Sequence, residues 1–134
     1  MPAVYLRPMR RALLNLLPLA ALALGCTKEE PVLRATFHAT CRDCVVRYAT
    51  GTAQSRADTL LGVPVAGTSD TLEETASWAM DLKEGDNVYI RACRLRPDTV
   101  LGALSVRVDG DVRPLEAQTD TADCVEINAV SAPR

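Results

Sequence analysis

The stretch "LRATFHATCRDCVVRYAT" at residues 33–50 decides the fold class, because its side chains alternate between apolar and polar along the chain. The apolar set of its first half is Leu33, Ala35, Phe37 and Ala39. A period of two is typical of a strand with one buried and one solvated face. After the tight turn "CRDC", the segment "VVRYAT" at 45–50 is rich in the β-branched and aromatic residues that favour strands. The stretch therefore predicts two β-strands separated by a pair of cysteines.

Strands of the same kind are predicted along the rest of the chain. The clearest are "NVYIRACRL" at 87–95, "LSVRV" at 104–108 and "CVEINAV" at 124–130. The tripeptide "DGD" at 109–111 predicts a hairpin turn that returns the chain through 112–119. Residues 51–70 hold three glycines and a proline among small polar residues, which indicates a loop, with a short edge strand at 59–65 as an option.

The segment "TLEETASWAMDL" at 71–82 fits two structures. Thr71 and Glu74 have the spacing of a helix capping box, and a helix over 71–82 stays open. The favoured structure is a strand over 75–82, because "KEGD" is a turn sequence and would join that strand to 87–95 as a hairpin. Seven or eight short strands in residues 33–134 then predict an all-β fold, a single immunoglobulin-like β-sandwich.

The first 25 residues have the layout of an export signal. A basic "MRR" at 9–11 precedes fourteen mainly apolar residues at 12–25, and translation from either Met1 or Met9 leaves this layout intact. A transmembrane helix needs about 17–25 apolar residues, so this segment is too short to be one. The sequence therefore predicts a signal peptide at 1–25 that is removed from the mature protein.

Cys26 stands where this apolar segment ends, in "ALGC". The four residues resemble the lipobox of bacterial lipoproteins, although Ala23 occupies the place where leucine is commonest. The resemblance implies cleavage before Cys26, acylation of its sulfur and attachment to a membrane through the N-terminal lipid. Several acyl chains on one residue make a stable anchor. Residues 26–32 would be the lipidated tether and 33–134 the folded domain.

The tether itself carries a second signal. In "CTKEE", Lys28 is followed by two glutamates, which resembles the short signal that sends lipoproteins of the Bacteroidetes to the outer membrane and its outer surface. The alternative is that these charges only keep the tether solvated. The favoured location is the cell envelope, on the outer membrane.

The domain also resembles a known family. The order of Val46-x-Tyr48, a strand with Trp78, "EGDNVYIRA" at 84–92 and "LSVRVDGDV" at 104–112 is similar to small bacterial proteins with an MmpS-like β-sandwich. Mycobacterial members assist export by membrane transporters, but they are held by a transmembrane helix. The resemblance therefore implies a sandwich in the cell envelope, with a role beside a transporter as an alternative function.

Four cysteines follow Cys26, and an even number in an exported protein predicts disulfide bonds. The alternation places Cys93 and Cys124 on the outer faces of their strands, so we expect them to pair, and Cys41 and Cys44 to close the "CRDC" turn. Two other interpretations of these residues are a redox-active Cys41–Cys44 pair and a four-cysteine zinc site. Neither is favoured, because a strand follows "CRDC" and Cys93 lies 31 positions from Cys124.

The remaining residues predict no catalysis. After removal of 1–25 the chain has twelve basic and seventeen acidic residues, a net charge of −5, which excludes a typical nucleic-acid surface. His38 is predicted to be a surface imidazole on the polar face of its strand, and no serine lies in a nucleophile elbow. The sequence thus predicts a noncatalytic module without a cofactor that binds an unidentified protein or ligand or has a structural role. A thiol–disulfide redox protein using Cys41 and Cys44 is the alternative enzyme.

Overall fold

The computed structural model of the chain describes residues 28–96 and 102–134. The predicted signal peptide at 1–25 and the predicted lipidation site, Cys26, lie outside the described residues. Every regular element in the described part is a β-strand. No helix in these two ranges is long and apolar enough to cross a bilayer.

Ten strands follow one another in the described part. They are β1 Val32–Cys41, β2 Cys44–Thr50, β3 Arg56–Leu60, β4 Val63–Pro64, β5 Thr71–Leu72, β6 Glu74–Lys83, β7 Asn87–Arg94, β8 Leu104–Gly110, β9 Leu115–Thr119 and β10 Cys124–Val130. Sheet A has the strand order β6-β1-β8-β9, and sheet B has the order β10-β7-β2-β3. All pairings are antiparallel, and β4 and β5 form a separate two-stranded ribbon.

The two sheets pack as an immunoglobulin-like sandwich. In that fold the second and fifth strands pair in one sheet, and the third, sixth and seventh pair in the other. Here β1 and β6 take the places of the second and fifth strands and pair in sheet A. Strands β2, β7 and β10 take the places of the third, sixth and seventh and are neighbours in sheet B. Strand β8 takes the place beside β1 that the first strand of an immunoglobulin domain would occupy. The predicted sandwich of seven or eight strands is confirmed, with eight strands in the two sheets.

The core lies between the sheets and consists of the inward-facing residues of both. The largest fully buried side chains are Phe37, Ile90, Leu104, Val46, Val88, Val106, Val108 and Val112. All of them except Val112, which lies between β8 and β9, stand at alternate positions of their strands, so the period of two identified the buried faces of β1, β7, β8 and β10 correctly. At one open side, the Tyr48 ring stacks on Trp78 at a centroid distance of 4.7 Å, and Trp78 Nε1 donates a hydrogen bond to Asp58 Oδ2.

The ambiguous segment at 71–82 is a strand and not a helix. Strand β6 pairs with β1 over ten consecutive residue pairs, and Trp78, Met80 and Leu82 face the core. The expected hairpin with β7 is wrong, because the "KEGD" turn carries the chain from sheet A to sheet B. The crossing lets Leu82 of β6 and Val88 of β7 enter the core from opposite sheets.

Two other boundaries differ from the sequence-based expectation. The edge strand within 51–70 is β3, which pairs with β2 and shares only its last two residues with the predicted range 59–65; the two-residue strand β4 lies in the rest of that range. The predicted hairpin of β8 with β9 is confirmed, but its connection is longer than "DGD": the last residue pair of the two strands is Val108 with Leu115, while β8 continues through Gly110 against β1. Gly110 has φ +97°, and a Cβ there would lie 2.5 Å from the carbonyl oxygen of Arg34. This close approach requires glycine at position 110.

Candidate functional site

The Cys41–Cys44 disulfide lies where the chain crosses from one sheet to the other. Cys41 ends β1 in sheet A, Cys44 begins β2 in sheet B, and the bond between them confirms the predicted pairing. Both cysteines are buried, with 2% of Cys41 and 0% of Cys44 exposed. In the turn between them, Asp43 accepts a hydrogen bond from the N–H of Leu95 and holds the Arg96 guanidinium, with Oδ2 and Nε 3.0 Å apart.

This burial limits the chemistry of the pair. In thiol–disulfide exchange an incoming thiolate attacks one sulfur, which must therefore be accessible. A reactive cysteine also needs a neighbouring positive charge or a helix N-terminus to stabilise its thiolate. Strand β2 begins at Cys44, so no helix N-terminus lies at the pair, and both cysteines belong to the core cluster. The geometry favours a cross-link between sheets over a redox centre.

The second disulfide joins Cys93 of β7 to Cys124 of β10, as predicted. The two residues stand directly opposite each other on neighbouring strands, with their Cα atoms 4.1 Å apart. Both are half-buried on the outer face of sheet B, and the Arg91 Nη2 atom lies 3.6 Å from Cys124 Sγ. All four sulfurs are therefore used in disulfides and none is left as a zinc ligand. Within 28–96 and 102–134, no cluster of three or more His, Cys, Asp or Glu side chains is arranged to hold a metal ion.

His38 forms a polar cluster on the outer face of sheet A. Its Nδ1 atom lies 2.7 Å from Ser77 Oγ, and its Nε2 atom lies 2.9 Å from Asp109 Oδ1. The other oxygen of Asp109 holds Arg107 Nη2 at 2.9 Å. The imidazole is thus on the polar face, as predicted, but it has partners on both neighbouring strands. Sequence reasoning missed these partners, because only the register places β6 and β8 beside this position.

A histidine in contact with a serine on one side and an aspartate on the other is also found in the catalytic triad of hydrolases, but the surroundings of His38 differ from those of a triad. A triad also needs two backbone N–H groups that converge on the oxyanion of the intermediate. Ser77 lies within β6, and consecutive N–H groups of an extended strand point to opposite sides. A nucleophile-elbow turn is also missing at this position, since β6 runs unbroken from Glu74 to Lys83. The cluster is a cross-strand network that stabilises the outer face of sheet A.

The outer face of sheet B has a different arrangement. Arg47 of β2 and Arg91 of β7 stand directly opposite each other in the two central strands, and both are exposed. We call these two residues the arginine pair. They line a shallow depression of about 380 Å³ together with Val45, Tyr89 and Cys93. Like charges in directly opposed positions destabilise a sheet, so this pair opposes folding.

Sequence reasoning did not single out the arginine pair. Arg47 and Arg91 lie 44 positions apart, and each is an unremarkable polar residue at an outward position of its own strand. Only the register of β2 with β7 brings the two guanidinium groups together on one surface. The candidate site is therefore the arginine pair on sheet B, with the disulfides as its framework. No protein family, curated protein or solved structure matches the chain.

Proposed function

We propose that the protein is a noncatalytic, lipid-anchored module of the bacterial cell envelope whose sandwich binds a ligand or partner. The observation that carries the proposal is the pairing of the four later cysteines with one another. Disulfides of this kind persist in exported proteins and are rare in the cytosol. The pairing also leaves Cys26 as the one cysteine of the sequence without a partner in the chain, as acylation of its sulfur requires.

The signal at the N-terminus supports the location. The apolar segment ends in "ALGC", and "TKEE" after Cys26 resembles an address for the outer membrane. Strand β1 begins at Val32, the last residue of the predicted tether. The protein would be held on the outer membrane by its N-terminal lipid, and the "KEE" signal favours display on the cell surface.

Intact mass spectrometry of the protein isolated from native membranes tests this proposal. The expected mass is that of a chain beginning at Cys26, with its acyl groups and without the four hydrogens lost on forming two disulfides. A Cys26→Ala variant is the control, because it should retain the signal peptide and carry no lipid. A native mass that includes residues 9–25 and lacks lipid would contradict the anchor.

The alternative, a thiol redox protein, is tested on the same preparation. The folded protein is treated at neutral pH with a small dithiol and then with an alkylating reagent. We expect Cys41 and Cys44 to stay unalkylated, because both residues are buried. Alkylation is mapped by peptide mass spectrometry, with urea-unfolded protein as the positive control. Rapid alkylation of Cys41 and Cys44 in the reduced, folded protein, together with return of their disulfide when the dithiol is replaced by its oxidised form, would favour the redox function. A role beside a membrane transporter, implied only by the MmpS-like resemblance, predicts copurification with a transporter.

A further inference from the structure

We propose that the outer face of sheet B carries a binding site for a small organic oxyanion, a carboxylate or a phosphate monoester, held between Arg47 and Arg91. The inference rests on the proposed function, since it names the class of ligand that the module would bind. The site is the depression lined by the arginine pair and by Val45, Tyr89 and Cys93.

The first argument is that the positive charge of the arginine pair is only partly compensated. Arg91 has one carboxylate nearby, and its Nε lies 3.9 Å from Glu126 Oε2, beyond hydrogen-bonding distance. Arg47 forms no ion pair with any carboxylate in the described ranges. On its other side, Arg47 stands opposite Ala57 of β3, which brings no charge. Two cations therefore face each other in a protein that carries more acidic than basic residues.

The second argument is the match to an oxyanion. A guanidinium group presents parallel N–H donors that fit two oxygens of a carboxylate or phosphate. An anion between Arg47 and Arg91 would convert their repulsion into two attractive contacts. Local arrangements that oppose folding are expected at functional sites, where the ligand provides the compensation.

The third argument concerns the rest of the ligand. Tyr89 is half-buried two residues from Arg91 on the same face, and Val45 stands opposite Cys93. The aromatic ring, the valine and the disulfide sulfur form an apolar floor beside the two cations. This combination fits an acid with a ring or a short apolar part better than it fits an inorganic ion.

The floor of the site is also rigid. The Cys93–Cys124 bond crosses from β7 to β10 two residues from Arg91. Strand β7 is paired on both sides, with β10 and with β2. A site held in its binding geometry loses less conformational entropy when the ligand binds.

The test is an NMR titration of the purified full-length protein in detergent, at constant ionic strength. The probes are phenyl phosphate, benzoate and inorganic phosphate, and sodium chloride is the reference. We expect saturable shifts of the Arg47 and Arg91 Nε–Hε signals and of Tyr89 at millimolar concentrations of an aromatic probe. Stronger binding of phenyl phosphate identifies a phosphate site and stronger binding of benzoate a carboxylate site. An absence of saturable shifts with all three probes up to about 50 mM would overturn the inference.

Variants separate the site from general electrostatics. Arg47→Gln and Arg91→Gln should each weaken binding by about tenfold or more, and Arg47→Lys should weaken it less, because the charge stays while the planar fork is lost. Arg113→Gln is the matched control, since Arg113 is exposed and makes the same charge change outside the depression. Equal losses in Arg113→Gln and Arg47→Gln would contradict a localised site. Intact mass on the same sample reports on the lipid anchor separately, so failure of the anchor and failure of the site are distinguishable.

Discussion

On the outer face of sheet A, His38 and Arg107 share the carboxylate of Asp109, whereas on the outer face of sheet B, Arg47 faces Arg91. Both faces belong to four-stranded antiparallel sheets in which every second side chain points into the core. On sheet A, Arg107 of β8 stands opposite His38 of β1, but Asp109, two residues along β8, contacts both side chains. On sheet B, Arg47 and Arg91 stand opposite each other, and Arg91 has Glu126 of β10 on its other side. On sheet A the fold supplies a close carboxylate partner, whereas on sheet B Arg91 has only the longer contact with Glu126 and Arg47 has no ion pair within the described residues.

The two faces also differ in what joins their strands. Sheet A relies on noncovalent contacts such as the hydrogen bond between the Thr40 and Thr75 hydroxyls, which are 2.8 Å apart. Sheet B has the covalent bond between Cys93 and Cys124. A cross-link offsets the repulsion within the arginine pair without neutralising it. The stability of sheet B would thereby be separated from the binding that we propose for its surface.

The largest expected effect comes from removing the cross-link on sheet B. Replacing both Cys93 and Cys124 with alanine opens a loop with a sequence separation of 31. Loop-closure entropy then predicts a loss of about 3–4 kcal/mol in the free energy of unfolding, measured by urea denaturation. The matched pair on sheet A is Thr40→Ala with Thr75→Ala, where we expect a loss of about 1 kcal/mol. If the cysteine variant lost no more than the threonine variant, the cross-link would not be the main stabiliser of sheet B.

The next effect tests the network on sheet A. Asp109→Ala should lower the free energy of unfolding by about 1–2 kcal/mol, because it leaves the half-buried His38 ring and the Arg107 guanidinium without their acceptor. Asp81→Ala is the control, because Asp81 pairs with Arg34 at 3.8 Å and the side chain of Asp81 is 68% exposed. That exposed pair should contribute less than about 0.5 kcal/mol. Thermal unfolding of the two variants side by side checks the order, and equal losses would refute the network.

The smallest effect compares the two faces directly. Arg47→Gln should leave the free energy of unfolding unchanged or raise it by about 0.5 kcal/mol, because it removes a like-charge contact. Arg107→Gln should lower it by about 0.5–1 kcal/mol, because it removes a partner of Asp109. Urea titration at low ionic strength makes the contrast largest, and added salt should reduce it. A clear loss of stability in Arg47→Gln would mean that Arg47 has a structural role on sheet B.

Much of the fold was predictable, because the alternation of apolar and polar residues along a single strand shows which of its faces is buried. Alternation identified the buried residues Phe37, Ile90 and Val106, and the outward position of Cys93 and Cys124 predicted their bond. The strand at 74–83 was also recoverable, since Trp78, Met80 and Leu82 repeat every second residue.

The wrong predictions concern the connections between strands, about which the apolar–polar alternation holds no information. Alternation says that β6 and β7 each have a buried face, but not whether those faces share a sheet or oppose each other across the core. The "KEGD" turn is compatible with both, and burial of Leu82 and Val88 from opposite sides decided between them. The continuation of β8 through Gly110 likewise depends on the close approach of the Arg34 carbonyl oxygen, a contact between residues 76 positions apart.

The sequence by itself determined the class of fold and the buried faces, because these follow from residue spacing within single strands, and it favoured the pairing of the four later cysteines that the register of β7 with β10 then fixed. Only the tertiary structure decided that His38 meets Ser77 and Asp109, and that Arg47 meets Arg91. These contacts depend on strand order and register, which are fixed by burial of apolar residues from distant parts of the chain in one core. The candidate site is therefore a property of two strands in register, and neither strand alone indicates it.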